Sequence, residues 1–432
     1  MRQARSKRTR MASPGKSRFH LLFMCLLVIG AGNSMLLAVA PPLVRQLRLP
    51  DSSIGWIFSL SALFWVIASP LWGRLSDRVG RRPIAALGLA AYSVSMGLFG
   101  AVVLLGLNGV LSGVWLFVSL MSARAIFGAF GSASSPAAQA YIADRTSPFE
   151  RTEQLARLTA AFALGQAFGP AICAALAAKL GLVFPIWLIA ALAALASYAI
   201  WRLLPESGSP APSPASAMHA GERASGPVSS LALARDRRLS AYLLYGFALS
   251  VVAGISVQIF GLFTMDRLHA QGEQGAELAA AGFMVSALAL LATQMAVLPR
   301  LRFTSRQLMV WGAGLIGAGI AIQIIAPSLG ALLVSQAVQG FGFGLARPGF
   351  SGGASVAVRA HEQGAAAGLV VAANGAGFVF SPLLGVVVYE RVGMIAPLFV
   401  ALALLAAMFV FALMSRRLRN PFSITAADST TL

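Results

Sequence analysis

Two arginines, Arg124 and Arg347, stand inside stretches that are otherwise almost wholly apolar. A guanidinium at the centre of a bilayer costs at least about 2.5–3.5 kcal/mol if it faces lipid. Each is therefore expected to face a cavity or a partner. None of the fourteen acidic residues falls in the middle of an apolar stretch, so the sequence offers neither arginine a carboxylate at its own depth. The chemistry this suggests is the binding of a neutral, zwitterionic or anionic group by a buried cation. Other chemistries lack their residues. No Gly-x-x-x-x-Gly-Lys-Ser/Thr loop is present to cradle ATP phosphates, and no His-x-x-x-His cluster or Gly-x-Ser-x-Gly elbow appears. The four histidines, His20, His219, His269 and His361, lie at the ends of apolar stretches or between them. Cys25 and Cys173 both sit in apolar stretches and form neither a disulfide framework nor a zinc site. No enzymatic activity, cofactor or metal is expected.

The elements that position these residues follow from composition. Of 432 residues, 58% are hydrophobic and 11% charged, and the mean hydropathy is +0.78. A soluble domain is roughly a quarter charged, so the composition excludes a disordered chain, a secreted disulfide scaffold and a typical cytosolic enzyme. A membrane-spanning helix needs about 20 apolar residues. Phe19 to Ala40 is the first such run. The basic segment before it resembles the head of a signal peptide. The run is long enough to span, however, and more follow, so it is read as an uncleaved first helix. Further runs lie near 52–72, 84–106, 110–141, 158–178, 183–204, 240–264, 277–298, 308–326, 329–350, 365–388 and 394–414. Twelve spans place both termini on one side. With that side cytoplasmic, 26 of the 33 Lys and Arg residues lie in cytoplasmic segments and five on the opposite side, the asymmetry of the positive-inside rule. The net charge of +19 is thus a topology signal, and nucleic acid is not expected as a partner. The chain divides into a basic tail (1–18), a six-span half (19–204), a Pro/Ser/Ala/Gly-rich linker (205–238), a second six-span half (239–414) and a second tail (415–432).

The two halves are copies of each other. A shift of 212 residues superposes Gly128 on Gly340, Pro136 on Pro348, Glu150 on Glu362, Gly165 on Gly377, Pro170 on Pro382 and Gly181 on Gly393. Chance overlap of apolar residues would not favour Gly, Pro and a rare Glu. Six spans separate the copies, so both face the same way: a parallel repeat whose halves can rock about a site at their interface near the midplane.

Three motifs carry a resemblance. The string Gly73-Arg-Leu-Ser-Asp77-Arg78-Val-Gly80-Arg81-Arg82-Pro83 follows the second span. The fourth span holds Arg124-Ala-Ile-Phe127-Gly128-Ala-Phe-Gly131 and ends near Tyr141-Ile-Ala-Asp144. The fifth holds Gly165-Gln-Ala-Phe-Gly169-Pro170, followed by Cys173-Ala174 where an antiporter signature would carry a glycine pair. With its twelve-span layout, the chain resembles the major facilitator superfamily, and its drug:proton antiporter branch in particular. The resemblance implies an all-α membrane protein of the major facilitator fold, twelve helices in two six-helix bundles. It implies that 73–83 is a gating latch, with Gly73 and Gly80 allowing close approach and a tight turn, and with Asp144 as partner of the arginines Arg78, Arg81 and Arg82. The second half carries only Pro299-Arg-Leu-Arg-Phe-Thr-Ser-Arg306 at this place, without the acid or the glycines.

The same resemblance places spans 1, 4, 7 and 10 around a central cavity. Asn33 and Arg124, with Phe127, would line it from the first half. Gln258, on one face with Ser250 and Gly254, would line it from span 7. Gln336, Gln339, Phe343 and Arg347 recur at i, i+3, i+7 and i+11 on one face of span 10. An alternative for Arg347 is that it snorkels to the membrane edge. The implied function is proton-coupled export of a small amphipathic compound, neutral or anionic, across a bacterial inner membrane. The partners would be substrate, protons and lipid, with the protein a monomer. A nutrient importer of the same fold and a non-transporting membrane sensor are the alternatives.

Overall fold

The computed structural model describes residues 16–145, 181–205, 230–300, 303–359 and 362–415, together with part of the stretch 154–180. Eleven helices among the described residues are long and apolar enough to cross a membrane. The twelfth predicted span, 158–178, lies in the partly described stretch, whose described residues are helical. The fold is that of the expected all-α membrane protein. Counting this stretch as the fifth, the spans of the first half are Lys16–Gln46, Ser52–Val79, Arg81–Leu107, a fourth that begins as Gly113–Phe130, the fifth, and Phe184–Leu203. The second half has Arg237–Leu268, a span that begins as Gly272–Ala292, Ser305–Ile325, Leu329–Val356, a span that begins as Gln363–Pro382, and Ala396–Met414.

Helices outrun the apolar stretches that announce them, because backbone hydrogen bonding continues past the hydrocarbon into polar turns. The first helix continues through Pro41 and Pro42 to Gln46. The segment 73–83, expected to follow the second span, is instead the last turns of span 2, a single-residue break at Gly80, and the start of span 3. Gly80 has φ 110°, a conformation that favours glycine, and its N–H bonds the Ser76 carbonyl. Gly73 has open space around it, so the close approach expected there is not made in this conformation. Glu150 lies outside the described residues.

The internal repeat is visible in how the helices touch. A Cβ on Gly128 would lie 2.2 Å from the backbone oxygen of Ser61, and one on its copy Gly340 would lie 2.2 Å from the backbone oxygen of Ser286. Spans 2 and 4, and equally spans 8 and 10, therefore cross backbone to backbone through small residues. In the same way Gly165 and Gly169 of the fifth span press on Leu27 and Ala31, and Gly377 presses on Phe247 and Val251. The helices are not uniformly α. Span 4 narrows to a 3-10 turn at Gly131–Ala133 before resuming as Ser134–Arg145. Span 8 passes into a π turn at Thr293–Val297 and span 11 into another at Leu383–Val387, immediately after Pro382.

Overpacking a close contact costs about 1–3 kcal/mol, while Gly→Ala in an open helical position gains about 0.5–1 kcal/mol. Gly128→Val and Gly340→Val should therefore each lower the thermal unfolding midpoint of the detergent-purified protein, and Gly73→Ala should leave it unchanged or raise it.

Candidate functional site

A cavity of about 420 Å³ lies between the halves, walled mainly by the first. Span 1 supplies Ile29 and Asn33, span 2 Phe58, Ser61 and Trp65, span 4 Arg124, Phe127, Ser135 and Gln139, and the fifth span Phe162 and Gln166. Span 11 closes it with Gly375 and Phe378. The lining is aromatic and apolar with a few polar groups, the usual composition of a small-molecule site.

Arg124 is its charged group, and its side chain is held from several directions. The residue is 3% exposed. One terminal nitrogen, Nη2, donates to Asn33 Oδ1 on span 1. The guanidinium carbon lies 4.4 Å from the centre of the Phe127 ring and 5.4 Å from that of Phe58, within cation–π range. Phe127 is itself wedged between Tyr92, ring centres 4.7 Å apart, and Trp65, 5.1 Å apart. The backbone is fixed as well: Ser61 Oγ donates to the Arg124 carbonyl at 3.1 Å, one turn from the Gly128 contact. Nε and Nη1 are buried with no acceptor among the described residues, and no described carboxylate pairs with the side chain. A buried cation without a counter-charge is costly, and the N–H groups on these two nitrogens suit a carboxylate or another polar acceptor brought by a ligand.

Asn33, Arg124 and Phe127 thus line one cavity. The expected cavity residues of the second half do not line it. Gln258 is buried, and its neighbours on that face of span 7, Ser250 and Gly254, turn to span 11: Ser250 Oγ donates to Asn374 Oδ1 at 2.7 Å, and Gly254 abuts Ser381. Gln339 Nε2 donates to Gln323 Oε1 of span 9 at 3.0 Å, and Gln336 lies against Gly282 of span 8. The cause is the close approach of Gly340 and Gly342 to spans 8 and 9, which turns this face of span 10 into its own half. Phe343 is buried there, and Arg347 is exposed, its guanidinium 5.8 Å from the Phe343 ring. The halves are therefore unequal: the shift of 212 that pairs Arg124 with Gln336 pairs a lining cation with a buried amide. Sequence reasoning missed Trp65, Gln139 and Gln166. The signal for Gln166 was its place between Gly165 and Gly169, whose contacts with span 1 set the face that it shares with the cavity.

The two ends of the bundle carry different charge clusters. At the end carrying the termini, Arg81 donates from Nε to Asp144 Oδ2 at 3.0 Å, lies 2.5 Å from Asp77 Oδ1, and donates to Ser76 Oγ at 2.6 Å. Spans 2, 3 and 4 are tied together, all within the first half. Arg78 is exposed, and the Arg82 guanidinium lies 5.0 Å from the centre of the Trp201 ring. At the same end of the second half, Asp236 caps span 7, accepting from the Arg238 N–H at 2.8 Å. The Arg238 guanidinium, hydrogen-bonded to it, holds the Asp236 carboxyl below the usual carboxylate range. Arg238 also lies 3.8 Å from the buried Glu362.

At the far end a clamp joins the halves. Arg45 donates to both oxygens of Asp51, at 3.1 and 2.8 Å, and to both oxygens of Asp266 on span 7, at 2.6 and 3.1 Å. Tyr389 donates to Asp266 at 2.6 Å, and the Ser52 N–H donates to Glu390 at 2.5 Å. Planar guanidinium–carboxylate pairs of this kind are among the stronger charge-assisted contacts. The expected helix ended at 264; the observed one carries Asp266 to this place.

The sequence model of the Major Facilitator Superfamily matches residues 22–305 and 272–430. The tetracycline resistance protein, class B, of Escherichia coli is 26% identical over 370 residues, covering 83% of this chain and 85% of that protein. Multidrug resistance protein 2 of Bacillus subtilis is 30% identical over 193 residues, 44% of this chain and about half (45%) of that relative. The crystal structure of the human organic anion transporter MFSD10 (TETRAN) superposes with a TM-score of 0.63 at 21% identity, covering 93% of this chain and all of that one (100%).

The clamp has a direct readout. Ala62 lines the cavity, and an Ala62→Cys reporter can be placed where Cys25 and Cys173 are replaced by Ala. Adding Arg45→Ala should speed its reaction with a membrane-impermeant maleimide applied from the clamp side several-fold. An unchanged rate would show that the clamp does not close that end.

Proposed function

The chain belongs to the Major Facilitator Superfamily, and from that premise we propose that it is a secondary active exporter working by alternating access. It binds a small amphipathic molecule with an anionic or neutral polar end and expels it in exchange for protons. The observation that carries this reading is Arg124: a cation buried in an aromatic cavity, with one nitrogen donating to Asn33 and two nitrogens without an acceptor among the described residues. An acidic or carbonyl-bearing cargo places its polar end on those donors and its apolar body against Phe58, Trp65 and Phe378. A lipophilic cation gains nothing from such a site and is repelled by it.

Export is supported by relatives that bear the names of drug and tetracycline resistance proteins. Conformation fits as well. The Arg45 clamp shuts the end opposite the termini, while Ser135, Gln139 and Gln166 extend the cavity from Arg124 toward the termini. With the termini in the cytoplasm of a bacterial cell and the protein in its inner membrane, this is the state that accepts cargo from inside. Moving one charge across 100 mV supplies about 2.3 kcal/mol, so one proton per molecule supports more than tenfold accumulation. The latch at Asp77, Arg81 and Asp144 would then take its turn in closing the cytoplasmic end after the clamp opens.

Inside-out vesicles test the reading. Energised vesicles should accumulate an anionic amphipathic drug, and addition of that drug should release protons from the lumen. Arg124→Ala should cut the rate at least tenfold, and Arg124→Lys should keep part of it. Preferred transport of lipophilic cations, undiminished in Arg124→Ala, would defeat the proposal.

A further inference from the structure

Away from the central cavity, spans 3 and 6 leave a groove of about 690 Å³ between them on the outer face of the first half. Its floor is made of small residues, among them Ala90, Ser93 and Ser197. Both serine hydroxyls are turned away into helix carbonyls: Ser93 Oγ donates to Ala190 O at 2.7 Å, and Ser197 Oγ to Ala86 O at 2.8 Å. The floor is therefore apolar in effect, and the larger side chains of Leu87, Val94 and Trp201 stand up around it, all well exposed.

The ends of the groove differ. One end, at Val94, is near the middle of span 3. The other reaches Pro83 and Trp201 at the end of the bundle that carries the termini, and there two cations meet it. The Arg82 guanidinium lies 5.0 Å from the centre of the Trp201 ring, and that of Arg202 lies 5.9 Å from the centre of the Tyr198 ring. From Pro83 to Val94 a helix rises about 16 Å at 1.5 Å per residue, close to the roughly 15 Å of hydrocarbon in one leaflet. The Trp and Tyr at the charged end sit where such rings mark the membrane–water interface.

We propose that this groove is a binding site for an anionic phospholipid of the leaflet on the side of the termini. One acyl chain lies along the small-residue floor, and the phosphate sits between Arg82 and Arg202. Charge complementarity selects the lipid: two guanidinium groups at the mouth suit a headgroup with net negative charge, whereas a choline headgroup brings its own cation to the same place. The site belongs to the protein as a membrane protein and does not depend on which cargo the central cavity takes. Because Arg82 and Pro83 close the 73–83 motif, the bound headgroup would lie beside the turn at Gly80.

The test uses the full chain purified in detergent and then supplied with phosphatidylglycerol or phosphatidylcholine. Native mass spectrometry and the thermal unfolding midpoint are the readouts. Phosphatidylglycerol should be retained as one adduct per chain at least fivefold more than phosphatidylcholine and should raise the midpoint. Glycerol phosphate, the headgroup without a tail, should do neither. Arg202→Ala should reduce the preference to below twofold, Ala90→Phe should fill the groove and abolish retention of both lipids, and Arg391→Ala, at the far end, should change nothing. Equal retention of the two lipids by the wild-type chain, or full preference in Arg202→Ala, would overturn the proposal. The Arg202 variant decides the matter even if Ala90→Phe does not fold.

Discussion

A guanidinium buried among aromatic rings, with no carboxylate beside it among the described residues, sets the terms for the first half of this protein. Arg124 cannot face lipid without a large penalty, so its surroundings are built to hold it. Asn33 takes one donor, and Phe127 and Phe58 offer ring faces. The backbone beneath is fixed by the Gly128 contact and by the Ser61 hydroxyl. The side chain is thus pre-positioned, which lowers the entropic cost of receiving a ligand. The same packing leaves Nε and Nη1 without an acceptor among the described residues. A site that is rigid, apolar and one negative charge short describes a class of guest.

The two ends of the bundle use the same chemistry for different mechanical purposes. The Arg45 cluster crosses from the first half to the second, so relative motion of the halves must break it. The Arg81 cluster ties three helices of one half into a block that can move as a unit. An ion pair within a body stiffens it, and one between bodies gates it. The sequence shows both sets as arginines and aspartates near the ends of spans and cannot tell them apart.

Much of the architecture was legible because it rests on one-dimensional signals. Apolar length located the spans, and the 212-residue repeat of Gly and Pro described two like halves. The glycines that carried the repeat are those at which helices touch, Gly128 with Gly340 and Gly165 with Gly377. What remained hidden was rotation. Helical spacing put Gln336, Gln339 and Phe343 on one face but could not say which neighbour that face meets; the contacts of Gly340 and Gly342 turn it inward. In the first half Arg124 escaped this ambiguity because the penalty for a misplaced charge is far greater than for a misplaced amide. Asp266 was missed as a contact between halves because its partners, Arg45 and Tyr389, are more than a hundred residues away in sequence.

The wide turn in span 8 gives one duplicated pair of helices an uneven elasticity. Span 2 is α-helical from Ser52 to Val79, whereas its counterpart, span 8, loosens at Thr293–Val297, and span 11 does so again at Leu383–Val387. A π turn is a rare, locally looser form of helix, often found at functional positions. Bending stress would therefore collect in span 8, which would yield like a spring where its counterpart, span 2, turned as a stiff lever beside the charged pocket.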